Sequence, residues 1–553
     1  MRKNDLERAL EHFRRAVELD PADAESYDNI GVIFGDSGKP LEAIPEFQKA
    51  LELNPRLETA HYHLALAYDR VGRPQDAVTH YQEALRLNPG FHDARYGLSG
   101  VCLELGDREG AIVLAQGLVR ARPDFAEARY NLALMLFQRY QQTSELPDKG
   151  DLDAAVEHLQ AATRLLPGKP RFHSLLGQVL FAKQDLAGSV EALGRAVELE
   201  PGSPEFHYNL SLALRAKGEM PAAEKEAREA LRLNPHYVLA RRTLGLLLRQ
   251  KGDFENAAKE LKAAAAERPG DAEILHNLGT VLLRLNDVSV AVEQLKLATR
   301  VNPYFSEAFL TLAQALQKAG RVGEAAKARD EGQRLDKQRG AMGKAMVLVQ
   351  SALDSKAKGD NVTALNSLRE AATLSPEFSE AHYQLALLLR ETNGDRAEIQ
   401  NELRRVLDLR PSHAPAHYLM GLIYLERELP PLAMDEFRKA VELSPGLVEA
   451  RHALGDAAIR SRDWRAAAAQ ARAVLGWKPD DFLARLQLGR ALIGLGEWDE
   501  ATMELRQAVS LKADSAEAHY HLGRALQGQG KAAEAEQEFL TARRLDPAFR
   551  MSE

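Results

Sequence analysis

The sequence contains little of what reactive or membrane-inserted proteins are usually built from. Its single cysteine, Cys102, excludes a disulfide within the chain and any paired-cysteine metal motif. No run of eighteen apolar residues occurs, so no membrane insertion is expected. Aromatic residues are only 6% of the chain, and the formal net charge of −8 is opposite in sign to the basic excess typical of nucleic-acid binding. We therefore expect no nucleic-acid partner.

Motifs of known catalytic chemistry are also missing from the sequence. The chain has no His-Glu-x-x-His motif, no phosphate loop and no nucleophile elbow. Histidines cluster at a few places, but His61 and His63 are two residues apart and lie on different faces of a helix, which excludes joint chelation of a metal. The sequence therefore predicts a protein that is not an enzyme and that needs no cofactor or metal ion.

A proline that returns every thirty-four residues is the dominant feature of what is present. Sixteen positions keep this register once short insertions are allowed for, and fourteen of them hold proline. They are Pro21, Pro55, Pro89, Pro123, Pro167, Pro201, Pro235, Pro269, Pro303, Pro376, Pro411, Pro445, Pro479 and Pro547, with Lys337 and Ala513 in the other two. A fixed period of this length is typical of repeat proteins, in which each unit contacts mainly its neighbours.

Each period has the pattern of two helices separated by a turn. In the first complete period, apolar residues recur at helical spacing on both sides of a Gly- and Pro-containing break. They are Tyr27, Ile30, Gly31 and Phe34 before the break, and Ala43, Phe47 and Ala50 after it. Proline lacks an N–H group and disfavours helix in the residue before it, so Pro55 ends the second helix.

A pattern of small residues appears when each repeat is numbered from the third residue after its proline slot. Slot 8 holds only Gly, Ala or Ser, with glycine in eight of fifteen repeats, and slot 20 holds alanine in thirteen of fifteen. Because glycine inside a helix costs about 1 kcal/mol relative to alanine, its repeated use indicates close contact between helices. Larger apolar residues at slots 4, 7, 11 and 24 are expected to surround this contact, which makes Cys102 at slot 11 a buried thiol.

Slot by slot, this pattern resembles the tetratricopeptide repeat (TPR), and the resemblance covers nearly the whole chain as a half repeat and fifteen full repeats. It is carried by Tyr27, Ile30, Gly31, Phe34, Ala43, Phe47, Ala50 and Pro55 and their equivalents. The resemblance implies an all-α fold, a right-handed α-solenoid (superhelix) of stacked helix-turn-helix hairpins. The 35-residue pentatricopeptide repeat is the nearest competitor, but it reads single-stranded RNA and is usually basic.

Three departures from the period divide the array. Ten extra residues fall in the turn of the fourth repeat, near residues 139–151, and one is added near Asn393. The third departure is an irregular junction at about residues 329–357, where Lys337 replaces proline and helix is expected to continue past Asp336 toward Met342. We therefore predict an N-terminal array over residues 1–337, with a half repeat and nine repeats, and a C-terminal array of six repeats over residues 338–553.

The resemblance also implies where a partner would bind. TPR arrays place the first helix of each repeat on a concave wall, at slots 2, 5, 6, 9 and 12. Slot 5 is often tyrosine, which is enriched at interfaces, and slot 6 is often asparagine, whose amide both donates and accepts hydrogen bonds. The candidate groove residues are Tyr62, Tyr96, Tyr130, Asn131, Tyr208, Asn209, Asn277, Tyr383, Tyr418 and Tyr520. An alternative is that these tyrosines only pack between neighbouring first helices, and the acidic residues at slot 2 would favour basic ligands if they face the groove.

The predicted function is a non-catalytic protein–protein interaction scaffold that binds a peptide or protein segment in the concave groove. The alternative is a substrate-recognition arm of a larger enzyme, such as an O-linked glycosyltransferase, whose catalytic domain is absent from this chain. The array begins halfway through a repeat and stops soon after Pro547, so we expect a fragment whose uncapped ends could associate end to end. No signal peptide is visible, which leaves the cytoplasm as the default compartment.

Overall fold

The computed structural model describes residues 3–142 and 149–547. Within these ranges the chain forms thirty helices and no strand. The first fifteen are α1 (Lys3–Leu19), α2 (Ala24–Asp36), α3 (Pro40–Leu53), α4 (Glu58–Arg70), α5 (Pro74–Leu87), α6 (His92–Glu104), α7 (Arg108–Ala121), α8 (Ala126–Gln142), α9 (Lys149–Leu165), α10 (Pro170–Ala182), α11 (Leu186–Leu199), α12 (Pro204–Lys217), α13 (Met220–Leu233), α14 (Val238–Lys251) and α15 (Phe254–Glu267). The other fifteen are α16 (Ala272–Arg284), α17 (Val288–Val301), α18 (Ser306–Lys318), α19 (Val322–Ala357), α20 (Asn361–Leu374), α21 (Ser379–Glu391), α22 (Arg396–Leu409), α23 (Ala414–Glu426), α24 (Pro430–Leu443), α25 (Val448–Arg460), α26 (Trp464–Trp477), α27 (Phe482–Leu495), α28 (Trp498–Leu511), α29 (Ala516–Gly528) and α30 (Ala532–Leu545). The predicted all-α fold of stacked hairpins is confirmed.

The two helices of each hairpin meet where the sequence places its small residues. A Cβ atom added to Gly31 would lie 2.4 Å from the Phe47 ring, and one added to Gly177 would lie 2.4 Å from Leu193 Cγ. Phe47 and Leu193 both occupy slot 24, so the small residue at slot 8 accommodates the large side chain of the facing helix. Alanine at slot 20 completes the contact, as at Ala43, which is fully buried. The predicted close contact is therefore confirmed.

In every full repeat except the fourth, the turn inside the hairpin has a residue with left-handed backbone conformation at slot 15. Gly38 has a φ of 75° there, which glycine adopts without strain because it has no Cβ. Five repeats place another residue type at this slot, including Glu428 with a φ of 57°. The added residue near Asn393 is accommodated in the same turn, between α21 and α22, as predicted.

The helices form two compact units. The first comprises Met1–Pro123 and Leu403–Glu553, and the second comprises Asp124–Glu402. In each unit a second helix packs against the first helix of its own hairpin and against that of the next repeat, as α13 does with α12 and α14. One core cluster of the second unit runs from Leu193 to Ala328, and one of the first runs from Val448 to Ala535.

Helix α19 is the longest in the described part of the chain, at 36 residues. It packs against α18 as the second helix of the ninth repeat and against α20 as the first helix of the tenth. The expected continuation of helix past Asp336 is confirmed. The predicted domain boundary at residues 337/338 falls inside this helix, and a division of the array there stays a prediction.

The ten-residue insertion lengthens both helices of the fourth repeat. Helices α8 and α9 have 17 residues each, whereas α6 has 13 and α7 has 14. The Arg139 guanidinium and the buried Asp151 carboxylate, 2.6 Å apart, join these two helices. The rest of the predicted loop, residues 143–148, lies outside the described residues, as do residues 548–553.

Within the first unit, helices far apart in sequence pack together. Helix α26 contacts both α5 and α7. The Asp107 carboxylate, only 7% exposed, accepts hydrogen bonds of 3.0 Å from the backbone N–H groups of Gly110 and Gly446. Burial raises the pKa of Asp107. A Cβ added to Gly476 would lie 2.7 Å from the Gln82 side chain, so glycine allows this close approach.

Candidate functional site

The structure divides the predicted groove residues between the two compact units. A first-helix wall is the face of consecutive first helices formed by slots 2, 5, 6, 9 and 12. In the first unit the predicted residues are Tyr62, Tyr96, Tyr418 and Tyr520. In the second unit they are Tyr130, Asn131, Tyr208, Asn209, Asn277 and Tyr383. The residues of each unit therefore belong to separate candidate sites.

The slot 5 tyrosines contact aromatic rings of their own or neighbouring helices. Tyr62 lies 4.9 Å from Phe91, and Tyr208 lies 5.1 Å from Tyr237, each distance joining ring centroids. Phe91 and Tyr237 both stand just before the next first helix, so these contacts link consecutive repeats. Burial raises the pKa of Tyr62 and Tyr208. Tyr208 is only 8% exposed, so its ring serves packing and mainly its edge and hydroxyl remain for the wall.

The other predicted tyrosines vary in how much of the ring is available. Tyr130 stacks on Phe172 at 4.8 Å, and the Arg171 guanidinium lies 5.0 Å from the Tyr130 ring centroid. Burial raises the pKa of Tyr383 to about 12. Tyr520 is 7% exposed, whereas Tyr96 and Tyr418 are half-buried.

The predicted asparagines of the second unit differ in their hydrogen bonds. Asn277 donates its amide to the backbone oxygen of Glu273 at 2.8 Å, within its own helix. Its side-chain oxygen accepts a hydrogen bond of 3.3 Å from Arg249 on the preceding first helix. Asn209 is half-buried on α12, next to Tyr208. An amide already donating within its helix mainly orients its neighbours, so Asn277 positions Arg249.

Polar contacts link the wall across three consecutive first helices, α12, α14 and α16. Arg242 on α14 lies beside the Tyr208 hydroxyl of α12, and this charge opposes the effect of burial on the Tyr208 pKa. The same Arg242 forms an ion pair with Glu273, a slot 2 residue of α16. Together with the Arg249–Asn277 contact, this ion pair holds α14 and α16 in a fixed polar arrangement. The polar side chains of this surface are therefore held in place before any partner binds.

Sequence reasoning missed three arginines at the C-terminal ends of these helices. Arg215 and Arg249 occupy slot 12 of α12 and α14, and Arg284 occupies slot 13 of α16. Arg215 and Arg249 are half-buried, and Arg284 is exposed. The signal that could have revealed them is their spacing of 34 and 35 residues, which a search for contiguous basic runs does not detect.

Most slot 4 histidines use both ring nitrogens to connect parts of the chain. In His207, one ring nitrogen lies 3.1 Å from the backbone oxygen of Pro201, and the other lies 2.6 Å from the Glu226 carboxylate. Each such histidine therefore joins the end of the preceding repeat to slot 23 of its own second helix. The same arrangement occurs at His382, His417 and His519, with carboxylates at 2.5 Å.

Two repeats with a histidine at slot 4 lack this carboxylate: slot 23 is Ala192 in the repeat of His173, and it is His80 in the repeat of His61. The Nδ1 atoms of His61 and His80 lie 3.0 Å apart. Burial lowers the pKa of His80 to about 4, and the charge of His61 adds to the effect. Burial also lowers the pKa of His61. Since the unfolded chain then binds more protons than the folded one, this pair loses stability as the pH falls from about 6.5 toward 4.

Replacing His80 by glutamate is expected to remove this acid sensitivity. The variant would give His61 the carboxylate that the equivalent histidines have, so its protonated form would gain a partner. We expect the His80→Glu variant to be more stable than the parent by about 1–2 kcal/mol at pH 5, with a smaller difference at pH 8. Hydrogen exchange of α4 and α5 peptides at the two pH values measures this. A difference that does not grow on acidification would contradict it.

Cavities border parts of the first unit. A cavity of about 180 Å³ lies beside Tyr62 and is also lined by Phe47, His63 and Leu66. A larger cavity of about 650 Å³, lined partly by Trp477, lies where α5–α7 meet α26–α28. Of its basic residues, Arg485 pairs with Glu504 at 2.6 Å and Arg95 donates to the Pro89 backbone oxygen at 2.8 Å. These two side chains therefore serve packing.

The described residues hold no group of three or more His, Cys, Asp or Glu side chains arranged to bind a metal ion. None of the described helices has both the length and the apolarity needed to cross a membrane. Cys102 is buried, and burial raises the pKa of its thiol to about 12. This agrees with the expectation of a core thiol.

Family comparisons identify the same repeat along most of the chain. One family model, described as tetratricopeptide repeat, matches residues 29–90, 103–170, 140–204, 175–238, 208–272, 276–339, 388–448 and 452–509. Two others of the same description match residues 70–135 and 248–303, and residues 516–549. A fourth, described as TPR repeat, matches residues 1–38 and 489–530. No curated protein matches the chain significantly.

Several solved structures are similar over part of the chain. The crystal structure of YrrB, described as a TPR protein with an unusual peptide-binding site, is 25% identical, covers 38% of this chain and 99% of its own, and has a TM-score of 0.32. Human IFIT1, solved as a dimer with PPP-AAAA, is 16% identical over 80% of this chain and 95% of its own, with a TM-score of 0.33. MamA from Desulfovibrio magneticus RS-1 is 20% identical over 32% of this chain and 97% of its own, with a TM-score of 0.29. TM-scores of this size carry no information about the function of this chain.

Proposed function

The chain belongs to the tetratricopeptide repeat family, and from this we propose that it is a non-catalytic scaffold that holds a segment of a partner protein against a first-helix wall. We place the segment on the wall formed by α12, α14 and α16 in the second unit. The observation that carries the proposal is the pair of polar contacts that join α14 to α16, Arg242 with Glu273 and Arg249 with Asn277. Such fixed side chains lose little conformational entropy when a partner binds.

The chemistry of this wall suits a protein segment. Aromatic edges at Tyr208 and Tyr237 offer apolar contact area, and amide and guanidinium groups offer directional hydrogen bonds. The close contact inside each hairpin depends on slots 8, 20 and 24 instead, so replacing the amides of the wall leaves that contact in place. No catalytic domain is among the matched families.

Removing two amides from the wall tests the proposal. We expect the double variant Asn209→Ala/Asn277→Ala to retain partner protein less well by roughly fivefold, because Asn209 loses a hydrogen bond to the partner and Asn277 no longer positions Arg249, and each effect contributes about 1 kcal/mol or less. The measurement is quantitative capture by the immobilised chain, with the retained proteins identified by mass spectrometry. Helicity, followed by circular dichroism, should not change.

A matched control places two alanines on second helices. Lys259→Ala and Glu293→Ala change exposed side chains of α15 and α17, outside the wall. This control should capture partners as the parent does. Equal retention by all three proteins would show that the wall is not the binding surface.

A further inference from the structure

The three arginines at the C-terminal ends of α12, α14 and α16 lack acidic partners. Among the described residues, no carboxylate lies within ion-pair distance of Arg215, Arg249 or Arg284. Arg249 instead donates a hydrogen bond of 3.3 Å to the Asn277 side-chain oxygen. Arg242 of the same unit, by contrast, is paired with Glu273. The positive charge at these three positions is therefore uncompensated within the wall.

The arginines also act on one another across neighbouring helices. Burial lowers the pKa of Arg249, and the charges of Arg215 and Arg284 lower it further. Burial lowers the pKa of Arg215 too, with an added contribution from Arg242. A helix C-terminus favours one nearby cation, but it does not require cations on three adjacent helices that repel each other. An anionic ligand would relieve this repulsion.

We propose that Arg215, Arg249 and Arg284 bind the carboxylates of an acidic, extended segment of a partner protein. This rests on the proposed scaffold function and names the chemistry of its partner. Guanidinium groups bind carboxylates through two parallel hydrogen bonds, which are among the stronger polar contacts in proteins. The acidic residues at slot 2 would by themselves favour a basic ligand. One of them, Glu273, is already paired with Arg242, so the three arginines favour an acidic ligand instead.

The repeat geometry sets the spacing of the acidic residues. Helices α12, α14 and α16 pack in order, and packed helices have axes about 8–10 Å apart. A polyproline II segment rises about 3.1 Å per residue with three residues per turn, so residues i, i+3 and i+6 share one face at about 9 Å intervals. In a β-strand, residues three apart point to opposite faces. The segment is therefore polyproline-like, with an acidic residue at every third position.

A peptide fits this surface better than a nucleic acid. The formal net charge of −8 disfavours the approach of a long polyanion. The carboxylates of Glu205 and Glu273 also stand on the same wall, at the N-terminal ends of α12 and α16. The wall thus carries negative charge at the N-terminal ends of its helices and positive charge at their C-terminal ends. A peptide can match this pattern by carrying its acidic residues only where the arginines lie.

Fluorescence anisotropy with designed peptides tests the proposal on the full chain. The probe is a labelled peptide of four Glu-Pro-Pro units. Two comparison peptides have the same composition with the glutamates adjacent, or glutamine in place of glutamate. We expect the regularly spaced acidic peptide to bind at least about tenfold more tightly than either, with an affinity that falls as salt concentration rises.

Substitution of the arginines provides a second test of the proposal. The triple variant Arg215→Gln/Arg249→Gln/Arg284→Gln should lose at least about tenfold in affinity for the spaced peptide. Its thermal midpoint should equal or exceed that of the parent, because repulsion is relieved. A control with the same charge change, Arg195→Gln/Arg228→Gln/Arg232→Gln, alters exposed second-helix arginines that are already paired with glutamates and should bind as the parent does.

Three results would overturn the proposal: equal binding of the clustered peptide, an unaffected arginine triple variant, or tighter binding of a single-stranded oligonucleotide. If Asn209→Ala/Asn277→Ala still reduces partner capture while the arginine triple variant does not, the acidic-segment assignment fails and the scaffold proposal stands. If neither variant reduces capture, the scaffold proposal fails at this wall.

Discussion

Replacing Gly446 by valine is expected to separate α25 and α26 from α5 and α7 while leaving the individual hairpins helical. A Cβ at this position would lie 2.1 Å from the Gly110 nitrogen and 2.5 Å from its Cα, and both are backbone atoms that cannot move aside as a flexible side chain can. The separation would also remove one of the two hydrogen bonds to the buried Asp107 carboxylate. We expect a loss of about 2–4 kcal/mol in the stability of this contact.

Hydrogen exchange resolved to single helices measures this effect. Peptides from α7 and α26 should exchange much faster in Gly446→Val, and Trp477, 6% exposed in the parent, should become accessible to fluorescence quenchers. Gly202 provides the control, because it follows Pro201 as Gly446 follows Pro445 and has no neighbouring atom within 4 Å of an added Cβ. Unchanged exchange in Gly446→Val would show that this contact does not persist in solution.

The same substitution, glycine to alanine, should have opposite effects at two helical positions. At Gly177 the new Cβ would lie 2.4 Å from Leu193 Cγ and 3.1 Å from the Ser189 backbone oxygen. The hairpin must open or Leu193 must leave its preferred conformation, which costs about 1–3 kcal/mol. At Gly340, inside α19, nothing lies within 4 Å, so alanine should stabilise by up to about 1 kcal/mol through its higher helix propensity.

Urea unfolding followed by hydrogen exchange in α10 and α11 checks the first change, and exchange in α19 checks the second. Both substitutions add one methyl group to a helix. If one lowers the free energy of unfolding and the other raises it, the difference is due to the close contact at slot 8. If Gly177→Ala were as stable as the parent, slot 8 would not need its small residue and the packing argument would be wrong.

Local packing could be predicted from the sequence because it is encoded once in every repeat. Slot 8 and slot 20 recur often enough that their small side chains stand out against ordinary variation. The pairing of slot 4 with slot 23 could also have been found, since His207 and Glu226 have the same 19-residue separation as His417 and Glu436. The pairing is not visible when each histidine is considered alone.

Contacts between distant repeats could not be predicted in this way. The hydrogen bond between Gly446 and Asp107 joins residues 339 apart, and a periodic pattern specifies only neighbouring repeats. The chain does carry a local signal, because Gly476 and Trp477 stand where most repeats have a charged residue and leucine. Such a departure shows that a surface is unusual without showing what covers it. End-to-end association and the enzyme-arm alternative stay predictions.

Helix α19 affects how unfolding can spread through the second unit. In most repeat arrays, opening can stop at any hairpin boundary, because adjacent repeats are coupled only by the surface they share. Here the ninth and tenth repeats have one continuous helix of 36 residues in common, so no such stopping point exists between them. These two repeats should therefore unfold and refold as a single cooperative unit. Local unfolding that begins elsewhere in the array should stop at one edge of this unit or include all of it.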